Sequence, residues 1–207
     1  YAQDGPWDHA LEWLGVSRKQ DVAPAPSHHV ADDGGFAILR RGGAMAMLRY
    51  PRFRFRPSQP DALHLDLWLG GENLLRDAGS YSYYTDSHWS NYFGGTASHN
   101  TIQFDGRDQM PRISRFLLGD WLKTTWLQPL KEDTQAVRFA AGYRDREGAI
   151  HRRAGTAGSQ PHRPALGQTG SQQALALCLG QIFSQRQFPR RNGRTKGGKL
   201  CFHILAA

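Results

Sequence analysis

Residues 62–70, ALHLDLWLG, decide the fold. Leu63, Leu65, Leu67 and Leu69 alternate with Ala62, His64, Asp66 and Trp68, a period of two that belongs to a strand with one apolar face. The opposite face carries an imidazole, a carboxylate and an indole. Such a face suits a carbohydrate, because sugars stack on aromatic rings and hydrogen-bond to charged or amide groups. It suits equally well an indole packed under a loop with a histidine paired beside it.

The same period continues on either side. "GFAILR", "AMAMLRY", "NLLRDAG", "NTIQFDG", "SRFLLGDWLKTTWL" and "QAVRFAAGY" are short strand-like runs separated by Gly, Pro, Asn and Asp, which punctuate strands rather than helices. "RGGA", "LGGEN" and "FDGRDQ" supply hairpin-type turns. The expectation is a mainly β protein, an antiparallel β-sandwich. A short N-terminal helix is expected in "DHALEWLG", with Ala10, Leu11 and Leu14 on one side and Gly15 as its stop. A Pro-broken linker at 22–29 follows. In "SHNTIQFDG" a strand is expected to open at His99 and Asn100 and to send Ile102 and Phe104 to the core.

Charge divides the chain unevenly. From His151 onward there are seven Arg and two Lys and no Asp or Glu, whereas residues 1–150 carry 17 basic and 18 acidic side chains. The overall +8 is therefore a near-neutral body with a cationic end, and no basic stripe crosses the body as a nucleic-acid reader would need. Both cysteines, Cys178 and Cys201, fall in that end, which leaves the body without a disulfide or a thiolate metal site. No apolar run is long enough to span a membrane. A first residue other than Met gives the chain the look of a piece of something longer. Three regions are expected: 1–29, the end of a helical region and a linker; 30–153, the sandwich; and 154–207, a disordered basic tail. We read that tail as a frameshifted or misassembled end, because composition changes abruptly where a strand should continue.

"DALHLDLWLGGENLLRDAGSYSYY" followed by "NYFGGTASHNTIQFDGRDQ" resembles the C-terminal β-domain of the heparinase II/III-like polysaccharide lyases. That family shows a His-x-Asp step before a strand, a Gly-Gly turn, a Leu-x-Asp-x-Gly-x-Tyr-x-Tyr stretch, and a Tyr-Phe pair leading to Gly-Thr-Ala-x-His-Asn-Thr. The likeness runs from about residue 34 to 127. It implies an enzyme with an N-terminal helical toroid and a C-terminal stack of antiparallel strands, cleaving uronate-containing polysaccharide such as glycosaminoglycan or alginate by β-elimination. The toroid would be this domain's partner, an acidic polysaccharide its substrate, and the periplasm or the exterior its location.

Residue by residue, the resemblance puts a metal ligand at Asp77 and another at His99, with zinc as the metal suited to such N and O donors. Tyr92 falls near a tyrosine used as a proton carrier, and Tyr81 and Tyr83 would pack or line a sugar groove with Trp68 and Asn100. Counting back from Asp77 puts Asp61 at the acid of the His-x-Asp step and Gln59 at its histidine. An amide is a poor zinc ligand, so His64, five residues on, would take part of that role, as a ligand or in catalysis. Three functions follow, in order: part of a polysaccharide lyase, inactive without its toroid; a non-catalytic carbohydrate-binding module; and a nucleic-acid binder acting through the tail.

Overall fold

The computed structural model describes residues 8–16 and 27–159, and beyond them four strand segments at 175–179, 181–184, 198–201 and 204–205. Helix α1, Asp8–Trp13, buries none of its residues, and Gly15 at φ +64 follows it, the left-handed turn that glycine allows.

Two five-stranded antiparallel sheets form the body. The first runs β1 (His28–Ala31), β2 (Phe36–Arg41), β3 (Ala44–Arg49), β4 (Leu65–Leu69) and β5 (Glu72–Leu75) in simple sequence order. Its hairpins turn at Gly42 and at Gly70–Gly71, all with positive φ. The alternation that decides the fold holds in β4, where Leu65 and Leu67 are buried, Asp66 is half-buried and Trp68 is exposed. Strand β1 starts within the stretch expected to be linker, so the sheet begins earlier than residue 30.

The second sheet contains β8 (Thr124–Glu132), β9 (Ala136–Arg144), β10 (Ile150–Ser159), β11 (Leu175–Leu179) and β14 (Ile204–Leu205), in the order β14-β11-β10-β9-β8. Two-stranded pairs complete the set: β6 (Arg112–Ser114) with β7 (Leu117–Leu118), and β12 (Gln181–Ser184) with β13 (Gly198–Cys201). A short helix, α2 (Ser87–Phe93), lies between the sheets in the chain, and no alternation in "SHWSNYF" announces it.

The sheets face each other across one apolar layer. Leu39, Ala46, Leu48, Leu65 and Leu67 from the first meet Val137, Phe139, Ala141 and Ala157 from the second in one buried cluster. The small residues let the sheets come close: a Cβ added at Gly155 would lie 3.0 Å from Leu39 Cδ1. The architecture is the expected antiparallel sandwich.

Two expectations are revised, and a third lies mostly outside the described residues. The segment from Asn100 to Phe104 is not a strand but an irregular loop, with one isolated bridge from Phe104 to Arg107, because side chains rather than a ladder take its backbone groups. The break placed after Arg153 falls inside β10, whose pairing with β9 continues to Gly158. The supposed disordered tail lies mostly outside the described residues; where it is described, β11 pairs with β10 from Gly155 to Ser159 and covers that edge.

Candidate functional site

At one end of the first sheet three chain segments converge. His64 stands just before β4, Asp77 two residues past β5, and His99 closes a 3-10 turn at Thr96–Ser98. Asp77 Oδ2 lies 2.7 Å from His99 Nδ1 and 3.5 Å from His64 Nδ1, and the two imidazoles meet edge to face with centroids 5.8 Å apart. Both rings are buried and Asp77 is half-buried.

The hydrogen bonds settle the proton positions. The N–H of Asn100 donates to His64 Nδ1 at 3.1 Å, so the His64 proton resides on Nε2. His99 Nδ1 donates to the Asp77 carboxylate at 2.7 Å, and His99 Nε2 is buried without a hydrogen-bond partner. Burial pushes the Asp77 carboxyl up, but the Gly79 N–H and the His99 ring outweigh it and hold it below the usual range. Burial lowers His64 below the ordinary imidazole value, with the charges of His99 and Arg153 adding to it and Asp77 opposing. The site is thus an anionic carboxylate between two imidazoles, one with a buried ring nitrogen that has no hydrogen-bond partner.

The surroundings brace this arrangement. Gln109, buried, donates to the carbonyls of Ala62 and Ile102 and to Thr101 Oγ1, and accepts from the Ala62 N–H. Thr101 Oγ1 donates to Ala62 O at 2.6 Å, and Asn100 Nδ2 donates to Arg76 O at 3.0 Å. Asp61 pairs with Arg49 in a largely buried contact and feels the charges of His99 and Asp77 without a hydrogen bond to either. Sequence reasoning missed Gln109 and Arg153; neither stands in a pattern that marks a buried polar hub.

Beside the trio is an exposed aromatic shelf. Asp86 caps α2 by accepting from Trp89 N, and the helix presents Trp89, Tyr92 and Phe93. Tyr81 stacks on Phe93 at 5.1 Å and 15°, and Tyr83 tilts against Phe116. Tyr81, Tyr83, Trp89 and Tyr92 are all exposed. Tyr92 makes no hydrogen bond to the trio among the described residues, although its carbonyl accepts from Gly95 N at the entry to the turn that ends in His99. Trp68 is exposed on the outer face of β4 and joins no ring pair of the shelf among the described residues. Gln59 donates to Ser80 Oγ, and the third donor beside Asp77 and His99 is His64 instead.

Two imidazoles and a carboxylate whose ligand atoms lie within 4.8 Å of one another could hold a metal ion, the one such cluster among the described residues. The residue types fit zinc; His99 Nε2 has no hydrogen-bond partner, whereas His64 Nδ1 would exchange the Asn100 N–H for the metal.

Residues 23–160 match the family model described as "Heparinase II/III-like, C-terminal". The chain belongs to that family, the C-terminal domain of heparinase II/III-like polysaccharide lyases. It is similar to a crystal structure of a heparan sulfate lyase HepC mutant from Pedobacter heparinus, at 18% identity and TM-score 0.51, covering 86% of this chain and 27% of that one. It is similar also to the heparinase III BT4657 gene product with methylated lysines, at 16% identity and TM-score 0.52, covering 96% of this chain and 37% of that one. At such identities the likeness is one of fold, and the chain spans about a third of these proteins' length. No curated protein matches it.

Proposed function

We propose that this chain is the C-terminal sandwich of a lyase that cleaves uronate-containing polysaccharide by β-elimination, and that it is inactive without a helical partner domain. The observation that carries the reading is the buried His64–Asp77–His99 trio set beside an exposed aromatic shelf. In β-elimination a base removes the proton at C5, the C4–O bond breaks, the C4=C5 double bond forms and the leaving oxygen gains a proton. A third group must neutralise the uronate carboxylate. None of the trio is a cation fixed for that last role, which we assign to the helical partner domain.

Zinc would be held by His64, Asp77 and His99 and would supply a fixed positive charge joining three segments. With His99 so engaged, Tyr92 on the shelf is the proton carrier, and Tyr81, Tyr83, Trp68 and Asn100 contact sugar or shape its groove. An acidic polysaccharide as substrate and a periplasmic or secreted location follow from the same reading.

Absorbance of unsaturated uronate tests it. The chain alone should give no product, whereas joined to a helical toroid domain it should turn over a uronate polymer and lose that activity on Tyr92→Phe. Robust turnover by the chain alone would sink the inactivity, and no product from the joined protein on heparan, alginate or chondroitin-type polymers would sink the lyase reading. The exposed Trp68 and shelf tyrosines favour a second reading, a carbohydrate-binding module; glycan binding without product by the joined protein would establish it.

A further inference from the structure

Arg153 belongs to β10 in the second sheet, paired there with Ala141, yet its side chain ends among the loops of the first. Its Nη1 donates to two carbonyls, Leu63 O at 2.8 Å and Asn100 O at 2.5 Å. Leu63 immediately precedes His64, and Asn100 immediately follows His99. The Asn100 carbonyl also accepts from Leu65 N, while the Asn100 N–H donates to His64 Nδ1. One guanidinium nitrogen therefore ties the backbone beside each imidazole to the other.

No carboxylate pairs with Arg153 among the described residues. The residue is half-buried; burial lowers it to about 10, so at neutral pH it remains a cation whose Nη1 is held by neutral carbonyls. A buried charge without a counter-ion is costly, and a well-packed apolar residue would serve the core at least as well. Leu63 itself sits at φ +59, a conformation unfavourable for leucine that turns its carbonyl toward this nitrogen. Both costs fall where the two segments carrying the imidazoles meet.

We infer that Arg153 is the positioning residue of the trio: Nη1, bridging the Leu63 and Asn100 carbonyls, sets how far apart the His64 and His99 rings stand and which nitrogen of His64 accepts the Asn100 N–H. The inference builds on the proposed function for the purpose of the site, but not for the geometry.

The test uses the full chain, metal-free, with Arg153→Met and Arg153→Lys. Two signatures are read: hydrogen exchange at the amides of Leu65 and Asn100, and the nitrogen shifts of the His64 ring that report its tautomer. In Arg153→Met exchange at both amides should rise about tenfold or more and His64 should become a mixture of tautomers, while amides of β2 and β9 keep their protection. Arg153→Lys, whose ammonium can still donate to two carbonyls, should restore the single tautomer in part. A folded Arg153→Met with unchanged amides and an unchanged His64 tautomer would overturn the inference. Should Arg153→Met not fold, the wild-type chain decides: its Arg153 Nη1 protons should be protected from solvent exchange, and fast exchange there would overturn the bridge. Zinc uptake by the wild type is measured separately; its absence would remove the zinc reading and leave these signatures untouched.

Discussion

Two buried histidines, His99 and His151, show what turns an imidazole into a tool. His99 has Asp77 on Nδ1 and a buried Nε2 without a hydrogen-bond partner. His151, in β10, has no exposed surface, both ring nitrogens lack a partner, and it meets the Tyr143 ring edge-on at 5.4 Å. Burial, with the charge of Arg153, holds His151 well below the ordinary imidazole value, so it stays neutral and behaves as a core aromatic. The carboxylate makes the difference: beside one, a buried imidazole gains a fixed tautomer and orientation, and without one it only fills space.

The strongest challenge to this contrast is a cut in β10, which carries both His151 and Arg153. Ending the chain after Arg153 removes Ala157, fully buried, and the partners of Val137 and Phe139. Cooperative thermal unfolding should be lost, while a chain ending after Gln160 should retain it; equal melting curves would show that the second half of β10 is dispensable.

Next in size is Gln109→Leu, which strands the Ala62 N–H and several carbonyls around the trio at about 1–3 kcal/mol for each buried group left unpaired. A loss of about 2–4 kcal/mol by urea denaturation is expected. A loss under about 0.5 kcal/mol would mean that water replaces the amide and that the His99 side is less tightly braced than the His151 side.

The pH response separates the two histidines further. His151 and His64 both have folded values below the unfolded 6.5, so the unfolded chain binds protons that the folded chain refuses. Their contribution is fully present above about pH 6.5 and is lost as pH falls below it, by up to about 1.4 kcal/mol per pH unit for each. His151→Phe should flatten the slope between about pH 6.5 and 5 without abolishing it, since His64 remains. Parallel slopes for variant and wild type would show that His151 already binds a proton when folded.

The smallest effect is expected at Trp68, exposed on β4 and outside the shelf's ring pairs. Trp68→Ala should change stability by less than about 1 kcal/mol and leave the hydrogen exchange of Leu65 and Asn100 beside the trio as in wild type. A larger loss would show that the outer face of β4 is covered by something that anchors on the indole.

Much of this contrast was legible in the residues, and its gaps have physical reasons. Alternation in "LDLWL" and "AMAML" reports which side chains share a face, and Leu65, Leu67, Ala46 and Leu48 are buried accordingly. Asp77 and His99 stood out by chemistry and by resemblance. His64 was expected on the outer face with Asp66 and Trp68, but the turn of the backbone at Leu63 precedes β4 and His64 is buried beside Asp77. No period encodes such a local reversal. "NTIQF" alternates as a strand would, yet Asn100 and Ile102 give backbone groups to His64, Arg153 and Gln109, whose side chains come from 7 to 53 residues away. Helix α2 is too short for its periodicity to declare itself.

Leu63 carries a further consequence. With no exposed surface at φ +59, it sets a backbone preference of roughly 1–2 kcal/mol for glycine against roughly 1.5–3 kcal/mol for keeping a buried aliphatic side chain. Glycine would relax the turn and empty the core; asparagine would suit the turn and bury an amide; valine or isoleucine would fill the core and clash. In a saturation library selected for folded protein, position 63 should therefore purge conservative and radical replacements alike, a profile resembling that of a catalytic residue at a side chain that touches no substrate. Sequence variation alone would misfile it, and anyone mapping this family's chemistry from tolerance data would need the dihedral to tell the two apart.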